Sequence, residues 1–159
     1  MSTQITGRAV YWSKKYEVVV NKLVGKDRDD KRRAFETNME VLVFAAFLGV
    51  KYKKMEHVGA DRLEVPTDVF NNRKMFQALF LLPLLHKKDA NILRQDKDSE
   101  LVSIFQDYAN GGLSIIQSWL EAEPTDIYGD MILMKKILEE INLTANSDIF
   151  TDNTKPIIF

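Results

Sequence analysis

Cysteine is absent from the 159 residues. That removes disulfides, thiolate metal sites, iron–sulfur ligation and cysteine nucleophiles from consideration. The chain must then hold together by burial, and a single domain of this length hides roughly 68–70% of its unfolded surface. Histidine is scarce: His57 and His86 stand alone, without the spacing of a metal-binding helix. Long apolar runs are missing too. Val41–Val50 and Ala78–Leu85 fall short of the roughly 20 residues a bilayer span needs, so no membrane association is expected. The opening MSTQITGRAV is polar and lacks the apolar stretch of a signal peptide. With no thiols and no leader, the expected location is the cytoplasm. No GxxxxGK[ST], GxGxxG or GxSxG pattern occurs, which removes the usual sequence warrants for phosphate loops, dinucleotide folds and serine hydrolases. Internal repeats and low-complexity tracts are also missing. No catalytic residue, metal ligand or cofactor site is expected.

What the chain does have is helical periodicity. In Asp98–Glu121, Leu101, Phe105, Tyr108, Gly112, Ile115 and Trp119 advance by three or four residues, the spacing of one helix face. Gly111 and Gly112 lie mid-segment. Either they lie close against another backbone or they mark a break between two helices. An unbroken helix from Ser99 to Ala122 is roughly 36 Å long. Two interior glycines cost about 2 kcal/mol, less than burying several large apolar side chains returns, at about 1.5–3 kcal/mol each. Asp98 or Ser99 is the expected cap.

Four further segments read as helical or partly so. Ser13–Val24 places Tyr16, Val19, Val20, Leu23 and Val24 on one face and ends at Gly25. Ala34–Leu48, with VLVFAAFL apolar nearly all round, belongs at the centre, capped by Asp29 or Asp30 and stopped by Gly49. A segment beginning at Thr67 or near Asn72 turns Met75, Phe76, Leu79, Phe80 and Leu82 inward, and Pro83 predicts a kink or an end. Asp130–Leu143 points Leu133, Met134, Ile137, Leu138 and Ile141 inward. Val50–Val65 is the least helical part, where Val50–Lys53 and Leu63–Val65 form a brief pair of strands. The expected fold is mainly α: a single-domain bundle of about five to six helices over residues 1–145, with a small β-hairpin around residues 50–65. Residues 146–159 form a C-terminal tail. Its Pro156–Phe159 end either docks or stands as an exposed binding peptide, and docking is the better reading because uncovered apolar termini are a liability.

Charge is unevenly placed. Residues 1–74 carry a net +5 and residues 75–159 a net −6, giving the overall −1. Such polarity reads as attraction for an anionic partner, as an acidic–basic contact between subunits, or as a solvated surface that merely falls out this way. Lys26, Arg28, Lys31, Arg32 and Arg33 precede the central helix, and Lys51, Lys53 and Lys54 follow it. A helix of about 15 residues separates the groups by roughly 20–25 Å, a distance that could follow a phosphate backbone. These eight residues are the candidate nucleic-acid contacts, diluted by Asp27, Asp29 and Asp30. The acidic clusters Asp27/Asp29/Asp30, Asp96/Asp98/Glu100 and Glu139/Glu140 sit among polar residues, where capping and solvation explain them.

Two blocks carry a family resemblance. VLVFAAFLG at Val41–Gly49 is followed by a lysine-rich turn, and FQDYANGGL occupies Phe105–Leu113. Their order and spacing over Val41–Leu120 resemble a small bacterial family encoded beside the DNA phosphorothioation (Dnd) genes, DNA phosphorothioation-associated protein 4, with Ile116 where its second block carries a leucine. The resemblance implies a cytoplasmic accessory of a system that replaces a non-bridging phosphate oxygen with sulfur and restricts unmodified DNA. It implies no catalytic residues. The expectation is therefore a non-catalytic adaptor in phage defence that binds other proteins of the same system and DNA, with homo-oligomerisation open. The alternatives are a metal-dependent nuclease subunit using scattered carboxylates and an antitoxin-like regulatory module.

Overall fold

The computed structural model describes residues 5–152, with side chains as far as Thr144. Strand β1 (Ala9–Ser13) leads through a 3₁₀ turn into α1 (Glu17–Val24). Then follow α2 (Asn38–Lys51), β2 (Arg62–Pro66), α3 (Thr67–Asn72), α4 (Phe76–Lys87), two further 3₁₀ turns, α5 (Asp98–Ala122) and α6 (Asp130–Asp152). The fold is mainly α with one two-stranded antiparallel sheet.

The expected hairpin is half right. β2 lies where a strand was read, but its partner is β1, in register Val10 with Val65 and Trp12 with Leu63. Val50 and Lys51 belong to the last turn of α2. The β1 stretch alternates: Val10 and Trp12 are buried while Tyr11 is half-buried, the period-two pattern of a strand with one covered face. Alternation also directs the N–H groups of Tyr11 and Ser13 away from β2. Two amide side chains one helical turn apart on α5 receive them. Gln106 Oε1 accepts from Tyr11 N at 3.1 Å and Asn110 Oδ1 from Ser13 N at 3.0 Å.

α2 begins later and runs further than the sequence suggested. Thr37 caps it, its Oγ1 accepting from Glu40 N at 3.3 Å while Glu40 Oε2 accepts from Glu36 N at 2.8 Å. Thr37–Glu40 has the spacing of a capping box. Asp30 instead accepts from Arg32 N in the preceding loop. Gly49 does not stop the helix: a Cβ there would lie 2.2 Å from the Tyr108 carbonyl oxygen of α5. The glycine serves close approach.

α5 is unbroken over 25 residues, and its glycines do lie against other backbones. A Cβ on Gly112 would meet the Ala45 carbonyl oxygen at 1.7 Å, and one on Gly111 the Lys54 carbonyl oxygen at 2.2 Å. No side chain fits at such distances, so α2 and α5 touch main chain to main chain at Ala45 and Gly112, while Gly111 lies against the Lys54 main chain just past α2; Ala45, Ala109 and both glycines are buried. Around that contact the core assembles from Leu42, Leu101, Phe105, Leu113 and Ile116, with Val20 and Leu23 of α1 and Leu79 and Leu82 of α4. Neither Asp98 nor Ser99 caps α5: its N-terminus carries no side-chain cap, and a 3₁₀ turn leads into it. Pro83 sits inside α4, which continues through it to Lys87.

α6 departs most from expectation. It extends to Asp152, beyond Leu143. Of the five residues expected inward, only Leu133 is buried, together with Ile132. Met134, Ile137, Leu138 and Ile141 are exposed. The Pro156–Phe159 segment lies outside the described residues.

Candidate functional site

The two basic groups fall at either end of α2, as the sequence spacing implied, but α6 runs across them. Arg32 makes a two-pronged contact with Asp130, at 2.9 and 3.1 Å. Glu140 meets Lys51 at 3.1 Å and accepts from the Tyr52 hydroxyl. Asp130 and Glu140 are ten residues apart, roughly 15 Å along a helix. The excess positive charge of the first half is thus answered in part by acidic residues of the second half within one chain.

The electrostatics agree with that pairing. The Asp130 carboxyl is held below its ordinary value by the Arg32 guanidinium. Glu140 is lowered by the Tyr52 hydroxyl and then by Lys51, and Tyr52 is pushed up to about 12, chiefly by Glu140. These are surface contacts, of the kind that register a helix more than they stabilise it.

Arg28 is a structural residue. Its guanidinium donates to the carbonyls of Lys22 and Arg32, both at 3.0 Å, and stands 3.8 Å from Asp30. Arg28 and Arg32 both lie over the Tyr128 ring, at 4.7 and 4.3 Å from its centroid, a cation–π arrangement that fixes the loop before α6. Arg33 pairs with Glu36 at 3.3 Å. Of the eight candidate contacts, Arg28, Arg32, Arg33 and Lys51 are therefore engaged with this chain's own groups. Lys26, Lys31, Lys53 and Lys54 are exposed and make no ion pair among the described residues.

Several members of the acidic clusters likewise face cations. Asp96 pairs with Arg94 at 3.2 Å, Glu100 with Lys87 at 2.7 Å, and Glu139 with Lys136 at 3.2 Å. Among the described residues, no group of three or more potential ligands is placed to hold a metal ion. No described helix is long and apolar enough to cross a membrane.

The surface that sequence reasoning missed is the outward side of α6. Asp126 caps its start, accepting from Gly129 N and Ile132 N at 3.1 and 2.9 Å, and Ile132 and Leu133 plug the first turn into the core. From that turn onward on the outward side, Met131, Met134, Leu138 and Ile141 are 67, 58, 51 and 56% exposed. Their steps of three, four and three residues form one straight seam. Lys135 and Glu139 border it, 59 and 48% exposed. On the flank toward the core, an apolar groove of about 500 Å³ runs between Ile137 and Ile141 of α6, Phe44 and Leu48 of α2, and Trp119 of α5. The signal was present in the sequence as an apolar stripe. Periodicity alone did not say which way the stripe faced.

The family model described as DNA sulphur modification system-associated protein 4 matches residues 10–152. The chain belongs to that family. The match takes in both blocks on which the resemblance rested, together with nearly all of β1 and the whole of α6. For this member of the DNA sulphur modification system-associated family, no curated protein and no solved structure gave a match.

Proposed function

We propose that this chain is a non-catalytic helical adaptor of a bacterial DNA sulphur modification system, serving the restriction of unmodified DNA in phage defence from the cytoplasm. Its task is to hold another protein of that system through the outward seam of α6. The observation that carries this reading is the run Met131, Met134, Leu138, Ile141, exposed by more than half at each position. Large apolar side chains in a continuous row on a surface mark a docking site more often than chance. A step of three and four selects the occupant: an amphipathic helix with a matching apolar row, its acidic and basic residues set against Lys135 and Glu139. DNA contact is the secondary role, and it falls to Lys26, Lys31, Lys53 and Lys54, the candidates left without an ion pair.

Co-expression with the other proteins of the sulphur modification system tests the main reading. One of them is expected to co-purify with the wild-type chain in fixed stoichiometry and to be lost on Leu138→Asp, with the fold of the variant intact by circular dichroism. Retention of the same complex by L138D and M134D would refute the α6 seam as the docking surface. Recovery of only a second copy of this chain would replace the adaptor by a homodimer.

A further inference from the structure

We propose that the groove between the outer edge of β1 and the N-terminal half of α5 is a phosphate-binding site. It is a cavity of about 360 Å³ whose only charged lining residues, among the described residues, are Arg8 and Arg62. The size suits a phosphate ester with part of its sugar or base.

The arginines set this groove apart. Arg28, Arg32, Arg33 and Arg94 each face a carboxylate within this chain. Arg8 and Arg62 face none among the described residues and share one cavity, whereas Arg73, also without an ion pair there, lines a different groove together with Glu40. Arg8 donates to the Ser99 hydroxyl at 2.5 Å. Arg62 lies over the Tyr11 ring with its guanidinium carbon 3.8 Å from the centroid. Stacking occupies the face of that guanidinium and leaves its N–H groups free to donate in plane, the geometry that recognises phosphate oxygens. Two arginines brought to one cavity without an acidic partner are an uncompensated charge, and an anion is the ligand that compensates it.

The polar side chains that α5 contributes to the lining are also donors. Ser99, Ser103 and Gln106 lie at successive turns of α5 and face the cavity. Gln106 spends its carbonyl oxygen on Tyr11 N, so its NH₂ group is the end left for a ligand. Ser99 lies in the first turn of α5, where Asp98 and Glu100 offset the positive helix end, so the charge offered to an anion is that of the two arginines. Glu64, opposite Tyr11 in the strand register, does not line it.

This site is separate from α6 and does not depend on the adaptor reading. The shared chemistry is a phosphate mono- or diester, and two probes separate its sources: inorganic phosphate, and a fluorescein-labelled 20-base-pair duplex followed by anisotropy between 50 and 200 mM salt. At least one probe is expected to bind, with affinity falling about tenfold for each of Arg8→Gln and Arg62→Gln. For the duplex, each substitution should also lower the salt slope by about one. Arg8→Lys/Arg62→Lys, which keeps the charge but loses the planar fork, should recover part of the loss. Binding of phosphate alone assigns a free phosphate ester, and binding of the duplex assigns a nucleic-acid backbone. Lys53→Gln/Lys54→Gln should leave the binding of inorganic phosphate within about twofold. Failure of both probes to bind at 50 mM salt would overturn the proposal, as would unchanged affinity in R8Q/R62Q with a native melting curve.

Discussion

α5 and α6 are of similar length, 25 and 23 residues, and are held in opposite ways. α5 gives up side chains to bring its backbone onto α2, and the glycines that weaken it as an isolated helix are what let it lie there. α6 keeps its large apolar side chains but spends them on solvent, secured at its first turn by Ile132, Leu133, the Asp126 cap and the Arg32–Asp130 pair. Apolar content therefore does not rank the two helices by how firmly each is fixed. Close approach does, because packed main chain leaves no room for rearrangement, whereas an exposed row of methionines and leucines awaits another surface.

Substitutions at the α2–α5 contact should break this contrast most sharply. Gly112→Ala places a methyl group 1.7 Å from the Ala45 oxygen; neither backbone can yield without separating the helices. The expected loss is about 3 kcal/mol or more, read as the shift in urea midpoint. A melting curve like that of the wild type would show that the contact is looser than described.

Next in size is Asn110→Ala. Asn110 is fully buried, accepts from Ser13 N at 3.0 Å, and donates to Ser13 Oγ at 2.9 Å and to the Glu56 carbonyl at 3.3 Å. Truncation strands the Ser13 N–H away from water, at about 2–3 kcal/mol. Hydrogen exchange should locate the damage in β1 rather than in α6.

A smaller effect, dependent on pH, is expected at Asp107, where burial raises the carboxyl above its ordinary 3.8 despite His57 nearby. A raised folded value means the protonated form suits the fold. Its contribution is complete below the ordinary value and is lost as pH rises through the raised one. Asp107→Asn, neutral throughout, should be more stable than wild type at pH 7 and no different at pH 3. The measurement is the difference in melting temperature at the two pH values, and an equal difference at both would refute the burial account.

The smallest stability change belongs to Leu138→Asp on α6, within about 0.5 kcal/mol, even though the same substitution is expected to abolish docking. A large loss of stability there would mean that the seam is covered within the chain, and the contrast between α5 and α6 would dissolve.

Sequence reading found what local chemistry encodes. The Leu101–Trp119 face of α5, the close approach of Gly111 and Gly112, and the terminator at Gly25 all follow from spacing and residue type, and the structure bears them out. β1 was missed because the residues before Ser13 carry only a five-residue alternation, too short to stand out beside the helical spacing that follows. α2 was started too early because Phe35 fits the apolar stripe, although Thr37–Glu40 held the decisive cap. For α6 the stripe was correct and its direction was not: periodicity groups residues on a face without naming the neighbour that covers it. The basic groups were visible as charges, but Arg32 and Asp130 lie 98 positions apart, and no local pattern announces such a pair. Arg8 and Arg62 were missed for the converse reason: each is isolated in sequence, and only the β1–β2 register brings them to one groove.

The amides of Gln106 and Asn110 also decide what the sheet can become. A strand with free N–H groups on one side is a template on which another chain can add and continue the ladder. Here that side of β1 is occupied by helix side chains, and β2 ends at Pro66 and carries Arg62 and Glu64. The two strands therefore form a closed unit at high concentration, and associations of this protein must be made by side chains rather than by templated growth of its sheet.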